Sequence, residues 1–238
     1  MNHSHDASVP PVERSATPAA VVFDMDGLMF NTEEIYTLAG DALLRRRGKR
    51  FTADVKRAMM GLPPRRAFEV MIELCHLAET PEQLIPESNA IFTALLPGRL
   101  APMPGLLDLL DRLDAAGIPK AIATSSGREL TTACLGPFDL ERRFRFVLTS
   151  EDIVHGKPHP EVYLKAAQRL GVAPATMAVL EDSENGCRAA AAAGAVVIAV
   201  PGEHSRQHDF SPAALVVESL RDPRLYARLG LGRTAGGS

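Results

Sequence analysis

Ala19-Ala20-Val21-Val22-Phe23-Asp24-Met25-Asp26-Gly27-Leu28 is the stretch that decides the fold. A short run of apolar residues stops abruptly at two acids and a glycine. The run, residues 19–23, is apolar at consecutive positions, as a strand covered on both faces should be. Similar runs recur at residues 120–123, 145–148, 177–180, 196–200 and 215–217. Helical patterns lie between them. Leu106, Leu109, Leu110 and Leu113 share one helix face, and Gly117 is placed to close it. Tyr163, Ala166, Ala167 and Leu170 repeat the pattern ahead of Gly171. This alternation predicts an α/β fold with a doubly wound parallel sheet.

One gap breaks the rhythm. Residues 33–96 contain no strand-like run. Phe68, Met71, Ile72 and Cys75 form an apolar stripe, and Thr80-Pro81-Glu82 reads as a helix start. Pro97-Gly98 and Pro102-Met103-Pro104-Gly105 then read as a hinge. The expected organisation is an α/β core over residues 19–32 and 103–225, interrupted by an inserted all-helical cap over residues 33–102. Residues 1–18 and 230–238 lack apolar periodicity and are expected to be tails.

Composition narrows the class. Of 238 residues, 46% are hydrophobic and 23% charged, which suits a globular protein. The net charge of −3 supplies no basic field for nucleic acid or an anionic membrane surface. The longest small-apolar run, residues 189–200, is interrupted by Gly194 and falls short of the ~20 residues of a membrane helix. The first residues show no secretory pattern. Cys75, Cys134 and Cys187 are odd in number and widely spaced, which fits a reducing, cytoplasmic compartment. A monomer is the default expectation.

In an open α/β sheet, ligands bind beyond the carboxyl ends of the strands. Those ends hold Asp24 and Asp26, then Thr124-Ser125-Ser126-Gly127, then Gly156-Lys157-Pro158, then Glu181-Asp182-Ser183. Four clustered carboxylates repel one another, and a hard divalent cation is their natural neutraliser. Lys157 adds a positive charge, and Thr124 to Gly127 offers hydroxyls and N–H groups to an anion. Together they suit a phosphate ester bound through Mg²⁺, with one Asp as nucleophile. Singly, each has a plainer reading: a turn, a helix cap, a solvated lysine, acids at a helix N-terminus. Their order and common position favour the site.

Phe23-Asp24-Met25-Asp26-Gly27-Leu28, with Asn31-Thr32-Glu33, resembles the first motif of the haloacid dehalogenase-like hydrolase superfamily. Thr124 falls at the second motif. Gly156-Lys157-Pro158-His159-Pro160-Glu161 resembles the third, and Leu180-Glu181-Asp182-Ser183 with Gly186 the fourth. The match runs from about Ala19 to Pro201. The helical insertion is similar to the subgroup of β-phosphoglucomutases and of sugar-phosphate, phosphoglycolate and nucleotide phosphatases.

The resemblance implies a phosphatase acting on a small phosphorylated metabolite. Asp24 is then the nucleophile and Asp26 the general acid and base. Mg²⁺ is expected on Asp24, the Asp26 carbonyl and Asp182, with Glu181 as a further ligand or supporting group. Thr124, Ser125 and Lys157 are expected to hold the phosphate. In the cap, Gly61 and Arg65 fall where relatives contact substrate, and Arg66 competes with Arg65.

Two positions depart from the pattern. Many relatives carry Asp at Asn31, and the mutases carry His at Tyr36. Both count against the alternative, a phosphosugar mutase. Asp26 argues against dehalogenation. The inserted cap argues against a signalling receiver, and the missing Gly-x-Gly-x-x-Gly against a dinucleotide fold.

Overall fold

The computed structural model describes residues 17–59 and 62–232. Its strands are β1 (Ala20–Phe23), β2 (Lys120–Ala123), β3 (Val147–Leu148), β4 (Met177–Glu181), β5 (Val196–Ala199) and β6 (Leu215–Val216). They form one six-stranded sheet in the order β3-β2-β1-β4-β5-β6. Every pairing is parallel, with Val22 of β1 set between Ala121 and Val179. β1 is therefore central, and its side chains are buried on both faces. That burial is why it reads as an unbroken apolar run.

Helices cover both faces. Val21, Phe23, Ile122 and Leu180 point to one side, where α5 (Leu106–Ala115), α6 (Arg128–Leu135) and α9 (Pro223–Arg228) contribute buried leucines. Val22, Ala121, Val179 and Val197 point to the other, against α7 (Glu161–Leu170) and α8 (Glu184–Ala192). This second layer is rich in alanine, whose small side chains permit a close helix-to-strand approach. Gly117 and Gly171 follow α5 and α7 with positive φ, as their positions in the sequence require.

Between β1 and β2 the chain inserts α1 (Thr32–Arg45), α2 (Ala53–Met59), α3 (Pro64–Cys75) and α4 (Pro81–Leu95). The fold is thus the expected parallel α/β core carrying a helical cap. The α3 stripe buries Met71 and Cys75, and Thr80 starts α4 with a capping box to Gln83. The cap is not packed independently. Ile35, Leu43, Met71 and Phe92 belong to the same apolar cluster as Phe23 and Leu110.

Asn31 joins the two crossings between cap and core. Its side-chain amide donates to the Arg99 carbonyl at 3.0 Å, and its side-chain oxygen accepts the Ala101 N–H at 2.7 Å.

At the C-terminal end, packing continues past the boundary expected at Gly230. Leu231 is buried, and Gly230 lies where a Cβ would meet Thr17 Oγ1 at 2.3 Å. Thr17 and Pro18 are the part of the first expected tail that falls within the described residues; the remainder of both tails lies outside them. The cysteines are free and buried. Among the described residues, no helix is long and apolar enough to cross a membrane.

Candidate active site

The strand order reverses direction at β1 and β4, and Asp24 and Asp182 follow directly on those strands. This is the switch point where an α/β sheet leaves a crevice. Gly27, at φ +76°, turns the chain back under the site. A Cβ there would meet Asp182 Oδ2 at 2.3 Å, so only glycine lets the two loops close on each other.

Lys157 is the electrostatic centre. It is buried, and its Nζ donates to Asp24 Oδ1 at 2.5 Å, Glu181 Oε1 at 2.6 Å and the Ala123 carbonyl at 3.1 Å. Glu181 is fully buried and held at both oxygens. Oε1 also accepts the Tyr163 hydroxyl at 2.5 Å, and Oε2 accepts the Ser183 hydroxyl at 2.9 Å. Gly186 makes this seat possible, since a Cβ there would lie 1.8 Å from Glu181 Oε1. Glu181 thus braces Lys157 from behind.

Asp26 faces the turn after β2. Its Oδ2 accepts Ser126 Oγ at 2.7 Å and Thr124 Oγ1 at 3.2 Å, while its Oδ1 is buried with no hydrogen-bond partner among the described residues. Tyr36 shares a 3.1 Å hydrogen bond with Ser126 Oγ and stacks on Phe92. Ser125 lines the cavity of about 320 Å³ above the carboxylates, together with Glu33, His204 and His208.

Burial pushes the Asp24 carboxyl well above its usual range; Lys157 opposes the shift, while Glu181 and Asp26 add to it. Burial raises Asp182 likewise, with Asp24 and Glu181 adding to it. Burial raises the Asp26 carboxyl, and the neighbouring hydroxyls of Ser126, Thr32 and Thr124 oppose the shift. Burial disfavours the Lys157 ammonium, but Asp24 and Glu181 outweigh it and hold its pKa well above the ordinary lysine value.

Ligand atoms of Asp24, Glu181 and Asp182 lie within 4.8 Å of one another, and the Lys157 ammonium bonds to two of these carboxylates. One cation among three buried carboxylates leaves uncompensated negative charge. This donor set of hard oxygens fits a divalent cation such as Mg²⁺.

The structure therefore brings together Asp24, Asp26, Thr124, Ser125, Lys157, Glu181 and Asp182. It does not bring Arg65 to them. Arg65 is exposed on α3 and pairs with Glu82 at 2.6 Å and Glu69 at 3.3 Å, and Arg66 pairs with Glu69. Gly61 lies outside the described residues. Sequence reasoning missed Tyr163, Ser126 and Glu33 as site residues. Tyr163 sits in an apolar helical stripe that reads as core, and its hydroxyl partner lies on another element. Ser126 was visible in the hydroxyl-rich turn, but its aim at Asp26 was not.

The family model for haloacid dehalogenase-like hydrolases matches residues 21–200, most of the chain. The chain belongs to this family. The hydrolase is 36% identical over 207 residues to a Drosophila melanogaster protein named "Probable pseudouridine-5'-phosphatase", covering 84% of this chain and 89% of the relative. It is 33% identical to the "Phosphorylated carbohydrates phosphatase" of Thermotoga maritima, covering 74% and 81%. Among solved structures, CbbY from Rhodobacter sphaeroides in complex with phosphate has a TM-score of 0.78 at 26% identity, covering 86% of this chain and 95% of that one.

Proposed function

We propose that this hydrolase is a Mg²⁺-dependent phosphatase of small phosphorylated metabolites, sugar phosphates or similar esters, working through an aspartyl-phosphate on Asp24. The supporting observation is the pair of acids beyond one strand: Asp24 is bonded to Lys157, and Asp26 holds an oxygen with no hydrogen-bond partner among the described residues. The phosphatase names of the relatives support the same reading.

In this mechanism Asp24 attacks phosphorus and the bond from phosphorus to the alcohol oxygen breaks. Asp26 gives its proton to that oxygen. Thr124, Ser125 and Lys157 hold the phosphoryl oxygens in line. Asp26 then takes a proton from water, which attacks phosphorus, frees phosphate and restores Asp24. The Asp24 and Asp182 carboxylates and the Asp26 carbonyl would hold Mg²⁺, with Glu181 bracing Lys157. When bound, the ion supplies positive charge to the phosphoryl group. The helical cap, residues 33–102, covers the reaction from the side of Glu33.

Hydrolysis of an aryl phosphate tests the reading. Turnover should need Mg²⁺, stop with chelator and return when Mg²⁺ is restored. Undiminished turnover in chelator, or no hydrolysis of any phosphate ester with Mg²⁺ present, would contradict it.

A further inference from the structure

The cavity over Asp24 adjoins a second chamber of about 400 Å³, and the two share Glu33, Leu62, Pro64 and Ser150 as walls. The second chamber lies between the cap helices and the core, where Ser126, Leu130 and Glu151 close its far side. Its linings divide by chemistry. Phe51, Phe68 and Met71 supply an apolar wall. The Phe51 ring is seated against α1 at Gly40, where a Cβ would lie 3.1 Å from it. Ser88 and Asn89 of α4 supply polar groups, and neither side chain bonds to another described residue.

Charge in the chamber is mostly negative. Glu33 and Glu151 line it, with Lys56 as the one cation among its described linings. Lys56 is already engaged with Thr37 Oγ1 at 2.7 Å and His204 Nδ1 at 3.2 Å. A second phosphate entering here would lose its water and meet more carboxylate than ammonium.

Size adds a constraint. Small-molecule pockets span ~300–1,000 Å³, so the catalytic cavity alone suits a phosphate with a short polyol. Such a substrate would leave the Phe51 and Phe68 wall to water, an unfavourable arrangement. A planar heterocycle fits better. Its faces are apolar and match the phenylalanines, while its edge carries donors and acceptors. Asn89 offers both a donor and an acceptor on one group, and Ser88 a hydroxyl.

We infer that this chamber is the leaving-group subsite, and that it takes an uncharged planar heterocycle carried on the alcohol of a phosphate monoester. The inference rests on the phosphatase reading above. A nucleoside monophosphate has this chemistry; an open-chain or bisphosphorylated sugar does not.

The test compares kcat/KM for uridine 5′-monophosphate, ribose 5-phosphate and fructose 1,6-bisphosphate with Mg²⁺ present. The wild type should prefer the ring-bearing ester by at least about tenfold over ribose 5-phosphate, with the bisphosphate poorest. Asn89→Ala and Phe68→Ala should each shrink that preference severalfold; Phe68→Leu replaces the latter if it does not fold. Equal or better use of ribose 5-phosphate or of the bisphosphate by the wild type would overturn the subsite. So would a preference unmoved in both variants. Either result leaves hydrolysis itself standing, whereas no phosphate release from any ester would remove the reading beneath it.

Discussion

Lys157 shows how closely charge is balanced at this site. It joins Asp24, the proposed nucleophile, to Glu181, which reaches no solvent. Removing one partner of a buried ion pair typically costs about 3–5 kcal/mol, because the remaining charges stay buried. Lys157→Met should therefore lower stability by about that amount in urea unfolding, besides abolishing turnover. Tyr163→Phe removes only the hydroxyl on Glu181 and should cost about 1–3 kcal/mol. Asp26→Asn keeps the acceptor for Ser126 but has no acid proton to give. Its rate should fall by ~10²–10⁴ with alkyl esters and far less with good leaving groups, as a leaving-group series would show. The sequence made Asp24 and Lys157 legible because Asp24 follows β1 directly and Lys157 sits in the Gly-Lys-Pro loop beyond β3, both at the edge where an α/β sheet binds ligands. Tyr163 was hidden because a helical stripe looks the same whether its members pack or donate.

At the scale of elements, two connections determine where the site groups sit. Asn31 uses both ends of its amide, donating to Arg99 and accepting from Ala101. An aspartate there would place a carboxylate against the Arg99 carbonyl. Asn31→Asp should cost about 1 kcal/mol, read as a drop in the unfolding midpoint. The departure from the family pattern at this position thus has a structural use at the cap crossing. The loop carrying Lys157 is pinned by Glu161, which accepts the Val154 N–H at 3.0 Å and the His155 N–H at 2.8 Å. Its hydrogen bond from Lys165 and those two backbone N–H groups lower its pKa from 4.5 to about 2. A carboxyl with a depressed folded pKa stabilises fully above its unfolded value and loses that effect as pH falls toward the folded one. The stability advantage of wild type over Glu161→Gln should therefore shrink between about pH 4.5 and about pH 2 in paired urea titrations. The strands were readable because consecutive buried positions leave a run such as Ala20–Phe23. The Glu161 pin was not, since its partners are backbone groups that sequence does not distinguish.

For the whole molecule, the cap and core share one apolar cluster, so the cap's pose is tied to the sheet. That continuity was not legible, because periodicity reveals a buried face but not what covers it. It bears on the choice between hydrolysis and phosphosugar transfer. A mutase must keep water out while its intermediate turns. Here Tyr36 occupies the position where mutases carry His, and its hydroxyl is spent on Ser126. Given β-glucose 1-phosphate with a trace of glucose 1,6-bisphosphate, any turnover should release inorganic phosphate. Rapid glucose 6-phosphate without phosphate release would favour the mutase. The central claim, transfer to Asp24, is tested most directly by rapid acid quench of the enzyme during turnover of an aryl phosphate, followed by peptide mass spectrometry. The account predicts one added phosphoryl group on the peptide containing Asp24, absent in Asp24→Asn. Full turnover with that peptide unmodified, or the phosphoryl group on another residue, would contradict it.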